Sequence, residues 1–172
     1  MKKLVLTYGI IGGLVVASML IITTTIYHQS GNIEGGAIYG YDSTLLAFSL
    51  IFFGIKKYRD QNNDGKITFG TAFKMGFLIT LIASTIYVIT WLIDYYYFMP
   101  DFMEKYAEQT ITKLRNEGAA QDVIEKTTKD MANFAEWYKN PFFNAMITFA
   151  EILPVGLIVT LISAAILRKQ RA

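Results

Sequence analysis

The chain has 172 residues, of which 53% are hydrophobic, and its 16 basic and 14 acidic residues give a formal net charge of only +2. This balance excludes the densely basic surface of a nucleic-acid-binding protein, so we expect no nucleic-acid partner. Because the chain contains no cysteine, disulfides, thiolate metal sites and cysteine nucleophiles are also excluded. The length suits a single membrane domain over residues 1–172.

Four long apolar runs predict four membrane-spanning helices, at residues 4–27, 37–55, 71–99 and 142–167. Each run approaches or exceeds the ~20 residues that cross about 30 Å of hydrocarbon. The predicted fold class is therefore all-α, an integral membrane four-helix bundle in the lipid bilayer. The first run follows Lys2 and Lys3 as a signal peptide would, but it stays apolar as far as Tyr27, which favours an uncleaved anchor.

The distribution of basic residues predicts the orientation of these spans. Four spans leave both termini on one side, and ten basic residues lie on that side: Lys2, Lys3, Lys56, Lys57, Arg59, Lys66, Lys74, Arg168, Lys169 and Arg171. The six on the other side are diluted in a long, net acidic segment. By the positive-inside rule we expect a multi-pass membrane protein with both termini cytoplasmic. Trp91 and the tyrosines at 95–97 fit an aromatic belt at the outer interface.

The segment between spans three and four, residues 100–140, is charged and amphipathic. Apolar residues recur in it at mostly helical steps, first Phe102, Tyr106, Ile111 and Leu114, and then Ile124, Met131, Phe134 and Tyr138. We predict an extracytoplasmic hairpin of two short helices, joined near Gly118. The apolar stripes of the two helices need a surface to pack against. They can pack against each other, the lipid headgroups or another protein.

Small residues at four-residue steps indicate close packing of helices in lipid. Gly9 and Gly13 begin one such stripe, Gly76 begins a second and Gly156 a third. Packing within one chain explains all three stripes. Homodimerisation through Gly9 and Gly13 is the alternative interpretation.

Four residues form a candidate polar site within the membrane. Glu151 lies about nine residues inside span four, where a carboxylate costs at least ~2.5 kcal/mol, so we expect it to face the bundle interior, find a donor or stay protonated. Pro154 removes a backbone donor and frees the carbonyl of Ala150. Asp94 and Asp42 lie nearer the outer side. The functional interpretation is a cation or proton site, and the structural one is hydrogen bonding between helices, with both aspartates solvated.

Enzymatic motifs are missing from the sequence, which has one histidine and no Walker loop, Gly-x-Ser-x-Gly or His-Glu-x-x-His pattern. We therefore expect a protein that is not an enzyme and needs no cofactor or metal. The loop that begins at Asp60 resembles the start of a calcium-binding EF-hand loop. Its twelfth position, however, is Thr71 rather than the required glutamate, so a solvated turn is preferred.

Two stretches resemble a family of membrane proteins typical of Bacteroidota, the domain of unknown function 4199. These are residues 64–76, Asp-Gly-Lys-Ile-Thr-Phe-Gly-Thr-Ala-Phe-Lys-Met-Gly, and residues 151–158, Glu-Ile-Leu-Pro-Val-Gly-Leu-Ile. The resemblance covers nearly the whole chain and implies an inner-membrane protein. It carries over no substrate, cofactor or catalytic residue. The resemblance implies that four residues on the cytoplasmic side, Gly65, Lys66, Thr68 and Gly70, form a candidate turn motif. Thr68 stands where the family usually has serine.

Three functions are compatible with these features. The preferred one is a non-enzymatic accessory, assembly or scaffold subunit that presents the outer hairpin to a protein partner. The alternative is a homo-oligomer that conducts or senses ions or protons through Glu151. The third is a sensor that binds lipid or a small molecule at the outer aromatic residues, although interface anchoring explains those residues without a ligand.

Overall fold

The computed structural model describes residues 1–30, 48–61 and 64–169, apart from the side chains of residues 28–30. These residues form six helices and no strand. The helices are α1 (Lys2–Ser30), α2 (described over residues 48–61), α3 (Phe69–Tyr97), α4 (Phe102–Asn116), α5 (Gln121–Tyr138) and α6 (Pro141–Leu167). The all-α prediction is thus confirmed. Most of the second predicted span, residues 37–55, lies outside the described residues.

Among the described residues, three helical stretches are long and apolar enough to cross a membrane: Lys2–Tyr27, Phe69–Tyr97 and Pro141–Leu167. Their bounds agree within two residues with the first, third and fourth predicted spans. Many of their large apolar side chains are exposed, among them Leu14, Ile89 and Ile158. An apolar surface of this kind suits lipid rather than water, which supports membrane insertion.

The described chain packs as two compact units, and α3 and α6 each contribute to both. Unit 1 comprises Met1–Trp91 and Thr148–Ala172, and unit 2 comprises Leu92–Ile147. One buried cluster of unit 1 takes residues from four helices, including Val5 of α1, Ile55 of α2, Ile79 of α3 and Ile152 of α6.

Helices α3 and α6 run antiparallel in unit 1. Gly76 faces Thr160 and Thr80 faces Gly156, so residues that come later in α3 meet residues that come earlier in α6. The same register continues beyond the helices, where Ile67 and Lys169 form an isolated antiparallel bridge. Each of these two residues donates its backbone N–H to the other's carbonyl oxygen, at 3.0 and 2.9 Å.

Local sequence explains where α3 and α6 begin. Thr68 precedes α3, and its hydroxyl oxygen accepts a 3.3 Å hydrogen bond from the backbone N–H of Thr71. Asn140 precedes α6, and its side-chain oxygen accepts from the N–H of Phe142 at 2.9 Å. Both are N-cap hydrogen bonds, and Pro141 occupies the first helical position, where the missing N–H costs nothing.

Unit 2 contains α4 and α5, which pack against each other. Glu117–Ala120 connect them, and Gly118 has a φ of +73°, a left-handed conformation that favours glycine after a helix. The unit also contains the end of α3 and the start of α6.

Candidate functional site

Glu151 lies on the exposed side of α6. The buried face of this helix recurs every four residues, at Thr148, Ile152, Gly156, Thr160 and Ala164. Because Glu151 precedes Ile152 by one residue, its side chain is rotated about 100° away from that face. The cost of a charge in lipid led us to expect an interior position, a hydrogen-bond donor or a protonated carboxyl group, and of these the structure does not show the interior position. Within the described chain, Glu151 has no hydrogen bond or ion pair.

Pro154 is also exposed, and α6 continues through it without interruption. Proline has no N–H to donate to the carbonyl of Ala150, which itself lies on the exposed side. The exposed side of α6 therefore presents a carboxylate and a backbone carbonyl, both of which accept hydrogen bonds. A group that binds there has to supply donors or a positive charge.

Asp94 belongs to unit 2, near the end of α3. Its backbone carbonyl accepts from the N–H groups of Phe98 and Met99, at 2.9 and 3.0 Å. Its side-chain Oδ2 is buried and has no hydrogen-bond partner within the described residues. Asp94 and Glu151 thus lie in different units, and Asp42 falls outside the described residues.

An aromatic cluster occupies unit 2, and the sequence did not reveal it. Its centre is Tyr95, whose ring lies 5.3 Å from Tyr138 of α5 and 6.5 Å from Phe102 of α4. The contacts continue from Tyr138 to Phe134 and from there to Phe143 of α6. Edge-to-face ring pairs of this kind add about 0.5–1.5 kcal/mol each beyond the area that they bury. The cluster therefore joins all four helical segments of unit 2.

Tyr96 fastens the end of α5 to α3 by hydrogen bonds. Its hydroxyl donates to the carbonyl oxygen of Lys139 at 3.0 Å and lies 3.4 Å from that of Tyr138. The last carbonyls of a helix have no partner within the helix, so this side chain satisfies groups that would otherwise need water. Tyr97, by contrast, is 80% exposed, as a residue of an interfacial belt would be.

The four predicted packing glycines all lie against other helices of the same chain. A methyl group added at Gly9 would come within 2.8 Å of Ile82, and one at Gly13 within 2.9 Å of the Ile86 Cβ. These glycines therefore let α1 approach α3. Gly76 and Gly156 play the same part between α3 and α6, as described above.

A buried hydrogen bond links α3 and α6 beside these glycines. The hydroxyl oxygens of Thr80 and Thr160 are 3.2 Å apart, and both residues are fully buried. The Thr80 hydroxyl also lies 3.4 Å from the carbonyl oxygen of Gly156. Hydroxyl pairs of this kind hold helices together in lipid, where no water competes for them.

The predicted turn motif connects α2 to α3. Gly65 has a φ of +72° and donates its N–H to the carbonyl of Arg59 at 2.9 Å. Lys66 is half-buried beside Ile67, the bridge residue, and Thr68 supplies the N-cap hydroxyl. A methyl group at Gly70 would meet nothing within 4 Å, so this glycine is not needed for space.

Asp60, the first residue of the calcium-like loop, is paired with its neighbour Arg59. The Arg59 Nε lies 2.7 Å from the Asp60 Oδ1. This hydrogen bond holds the pKa of Asp60 below its ordinary value, and the charges of Arg59, Lys56 and Lys169 act in the same direction. In the described chain, no group of three or more acidic or histidine side chains is arranged to hold a metal.

Comparison with known proteins identifies the family. A family model described as "Protein of unknown function (DUF4199)" matches residues 7–169. The chain belongs to the DUF4199 family. The resemblance seen in the two short stretches is thereby confirmed, and the match extends over both halves of the Ile67–Lys169 bridge. Neither a curated protein nor a solved structure matches this DUF4199 chain.

Proposed function

We propose that this DUF4199 chain is a non-enzymatic accessory, assembly or scaffold subunit of the inner membrane. In this proposal it has four spans, both termini are cytoplasmic, and α4 and α5 form an extracytoplasmic hairpin that binds a protein partner. The three long apolar helices support membrane insertion. The concentration of basic residues beside the span ends supports the orientation.

The observation that carries the proposal is the way in which α4 and α5 are held. Tyr95 and Tyr96 at the end of α3 contact both of these helices or their ends, through ring contacts and hydrogen bonds. A helical pair fixed at so many points keeps one conformation, which lowers the entropy lost when a partner binds.

The outer surface of the pair combines charged and apolar groups. It carries eight acidic and six basic residues between Asp101 and Lys139. Val123 and Trp137 are nonetheless exposed, at 44% and 61%. Exposed apolar side chains within a charged rim are typical of protein interfaces.

Cross-linking of the tagged protein in its native membrane tests the proposal. Lysine-reactive cross-linking followed by gentle-detergent purification should recover a stoichiometric partner bonded to Lys105, Lys113, Lys126 or Lys129. Val123→Asp should reduce that recovery about tenfold, because the substitution buries a charge at the interface. Asn133→Asp is the matched control, since it adds the same charge to an exposed polar position of α5. Recovery of the chain alone, or equal recovery with both variants, would reject the proposal.

The exposed position of Glu151 favours one alternative function. If copies of the chain associate through α6, this carboxyl group would lie at an interface between chains, where it can contribute to a path for protons or cations. Purified protein in liposomes would then pass a proton or cation flux that Glu151→Gln greatly reduces. Glu108→Gln, which removes an exposed carboxylate from α4, should leave the flux unchanged. A flux no greater than that of empty liposomes would exclude the alternative.

A further inference from the structure

The ends of four helical segments of unit 1 meet in one part of the core. At the end of α2, the Arg59 Nη1 lies 3.5 Å from the carbonyl oxygen of Leu167 at the end of α6, and Ile67 before α3 is bridged to Lys169. Gly9 and Gly13 of α1 face Ile82 and Ile86 of α3, so α1 and α3 run parallel and begin at the same end. The residues that flank these helix ends therefore lie at one end of the unit.

Most charged residues at this end are basic. Residues 2–5, 55–61, 64–74 and 167–169 contain nine basic residues, namely Lys2, Lys3, Lys56, Lys57, Arg59, Lys66, Lys74, Arg168 and Lys169. The acidic residues in these ranges are Asp60 and Asp64. We call the nine residues the basic surface.

Within the basic surface, three cations act on one carboxylate, that of Asp60. Arg59 forms the ion pair with Asp60, and its Nη1 lies 3.5 Å from the carbonyl oxygen of Leu167. Lys56 and Lys169 are close enough to act on Asp60 electrostatically. The Ile67–Lys169 bridge fixes the backbone of Lys169 beside α3. The three positive charges exceed the single negative charge, so this group can neutralise a further anion.

Apolar side chains beside the basic surface face outward. Phe53 of α2, one turn before Lys56, is 53% exposed, and Phe69 at the start of α3 is 38% exposed. The candidate span Phe69–Tyr97 begins, and the candidate span Pro141–Leu167 ends, two residues from the Ile67–Lys169 bridge. A ligand for this place needs an anionic group for the cations and apolar chains for the phenylalanines. Phospholipids combine the two.

We infer that the basic surface binds the phosphate headgroup of an anionic phospholipid, with Lys56, Arg59 and Lys169 around the phosphate and the acyl chains along the exposed phenylalanines. Basic groups between the ends of membrane helices recognise anionic headgroups in this way. The site lies in unit 1 and is independent of the partner proposed for α4 and α5.

Lipid binding to the purified full-length protein in a neutral detergent tests the inference. Native mass spectrometry should show phosphatidylglycerol binding at least about tenfold more tightly than phosphatidylcholine. The double variant Lys56→Gln/Lys169→Gln should lose most of this preference. Lys126→Gln/Lys129→Gln, which removes the same charge from exposed positions of α5, should retain it.

Salt and soluble anions provide measurements that need no variant. Raising the salt from about 0.1 to about 0.5 M should weaken phosphatidylglycerol binding and leave phosphatidylcholine binding unchanged, because the charges are exposed and screened. Equal affinity for the two lipids, or full retention of the preference in the Lys56/Lys169 variant, would overturn the inference. So would displacement of phosphatidylglycerol by an equal concentration of inorganic phosphate, which would indicate a site for soluble anions.

Discussion

At the scale of single residues, Glu151 shows what sequence predicts in a membrane helix and what it omits. Its depth follows from counting residues along α6, because every residue advances the helix by about 1.5 Å. Its direction is not marked by hydrophobic periodicity, because α6 is apolar on nearly every side, and only the stripe of small residues that begins at Gly156 indicates the packed face. The contacts of Gly156 and Thr160 with α3 set that rotation, and they leave Glu151 exposed.

The glycines differ in how much space their neighbours leave. At Gly156 an added methyl group would collide with the Thr80 side chain and approach the ring of Phe48 to 3.0 Å, so Gly156→Ala should destabilise the protein by about 1–3 kcal/mol. Gly70→Ala is the matched control. It should be neutral or stabilise by up to about 1 kcal/mol, since the position is open and helical. Thermal unfolding in detergent compares the two, and equal effects would contradict the close approach at Gly156.

The pair formed by Arg59 and Asp60 predicts a pH dependence of small size. The folded-state pKa of Asp60 lies below its unfolded value, so the pair stabilises the protein above the ordinary pKa of about 3.9. That contribution is lost as the pH falls through the lowered folded-state pKa. Arg59→Gln should move the pKa of Asp60 back towards its ordinary value. Carboxyl ¹³C NMR titration measures this, and an unchanged pKa would show that Arg59 is not the cause.

At the scale of helices, Thr80 and Thr160 supply the polar contact between α3 and α6. A double-mutant cycle with Thr80→Val and Thr160→Val should give a coupling energy of about 0.6–1.7 kcal/mol, as hydrogen bonds between membrane helices do. The cycle of Thr85→Val with Thr160→Val is the control. Thr85 is exposed and donates to Leu81 of its own helix, so the coupling should be near zero. Similar values in both cycles would show that the buried bond contributes nothing specific.

The Ile67–Lys169 bridge joins the segments that flank these two helices. Lys169→Pro removes the N–H that the carbonyl of Ile67 accepts, and it should cost about 0.5–1.5 kcal/mol. Lys169→Ala keeps this N–H and serves as the control. Hydrogen exchange should accelerate in the peptide that contains Ile67 in the proline variant alone. Unchanged exchange there would show that the bridge does not persist in solution.

Helix bounds were more predictable than helix contacts. The lengths of the apolar runs predicted the candidate spans of α1, α3 and α6 within two residues, because a membrane span has to be both long and uninterrupted. The ring contacts of Tyr95 were not predicted, since a tyrosine near a span end has the same sequence environment whether it contacts lipid or other rings. The single domain expected from the length stays a prediction. The chain packs as two units, but α3 and α6 contribute residues to both of them.

At the scale of the whole molecule, the orientation in the membrane is directly testable because the chain has no cysteine. Glu117→Cys lies between α4 and α5, and Lys57→Cys lies near the end of α2, both at exposed positions. A membrane-impermeant maleimide should label Glu117→Cys in intact spheroplasts and Lys57→Cys only after lysis. The parent protein, which has no cysteine, gives the background labelling. Labelling of both variants in intact spheroplasts would contradict the four-span topology.

The Ile67–Lys169 bridge also has a consequence for the order of biosynthesis. Its two residues are separated by about 100 positions, so at ~5–20 residues per second the ribosome adds Lys169 about 5–20 s after Ile67. α3 is synthesised within that interval, while Ile67, which precedes it, still lacks its bridge partner. Nascent chains and prematurely terminated products therefore share unpaired backbone groups at Ile67, whereas the finished protein pairs these groups with Lys169.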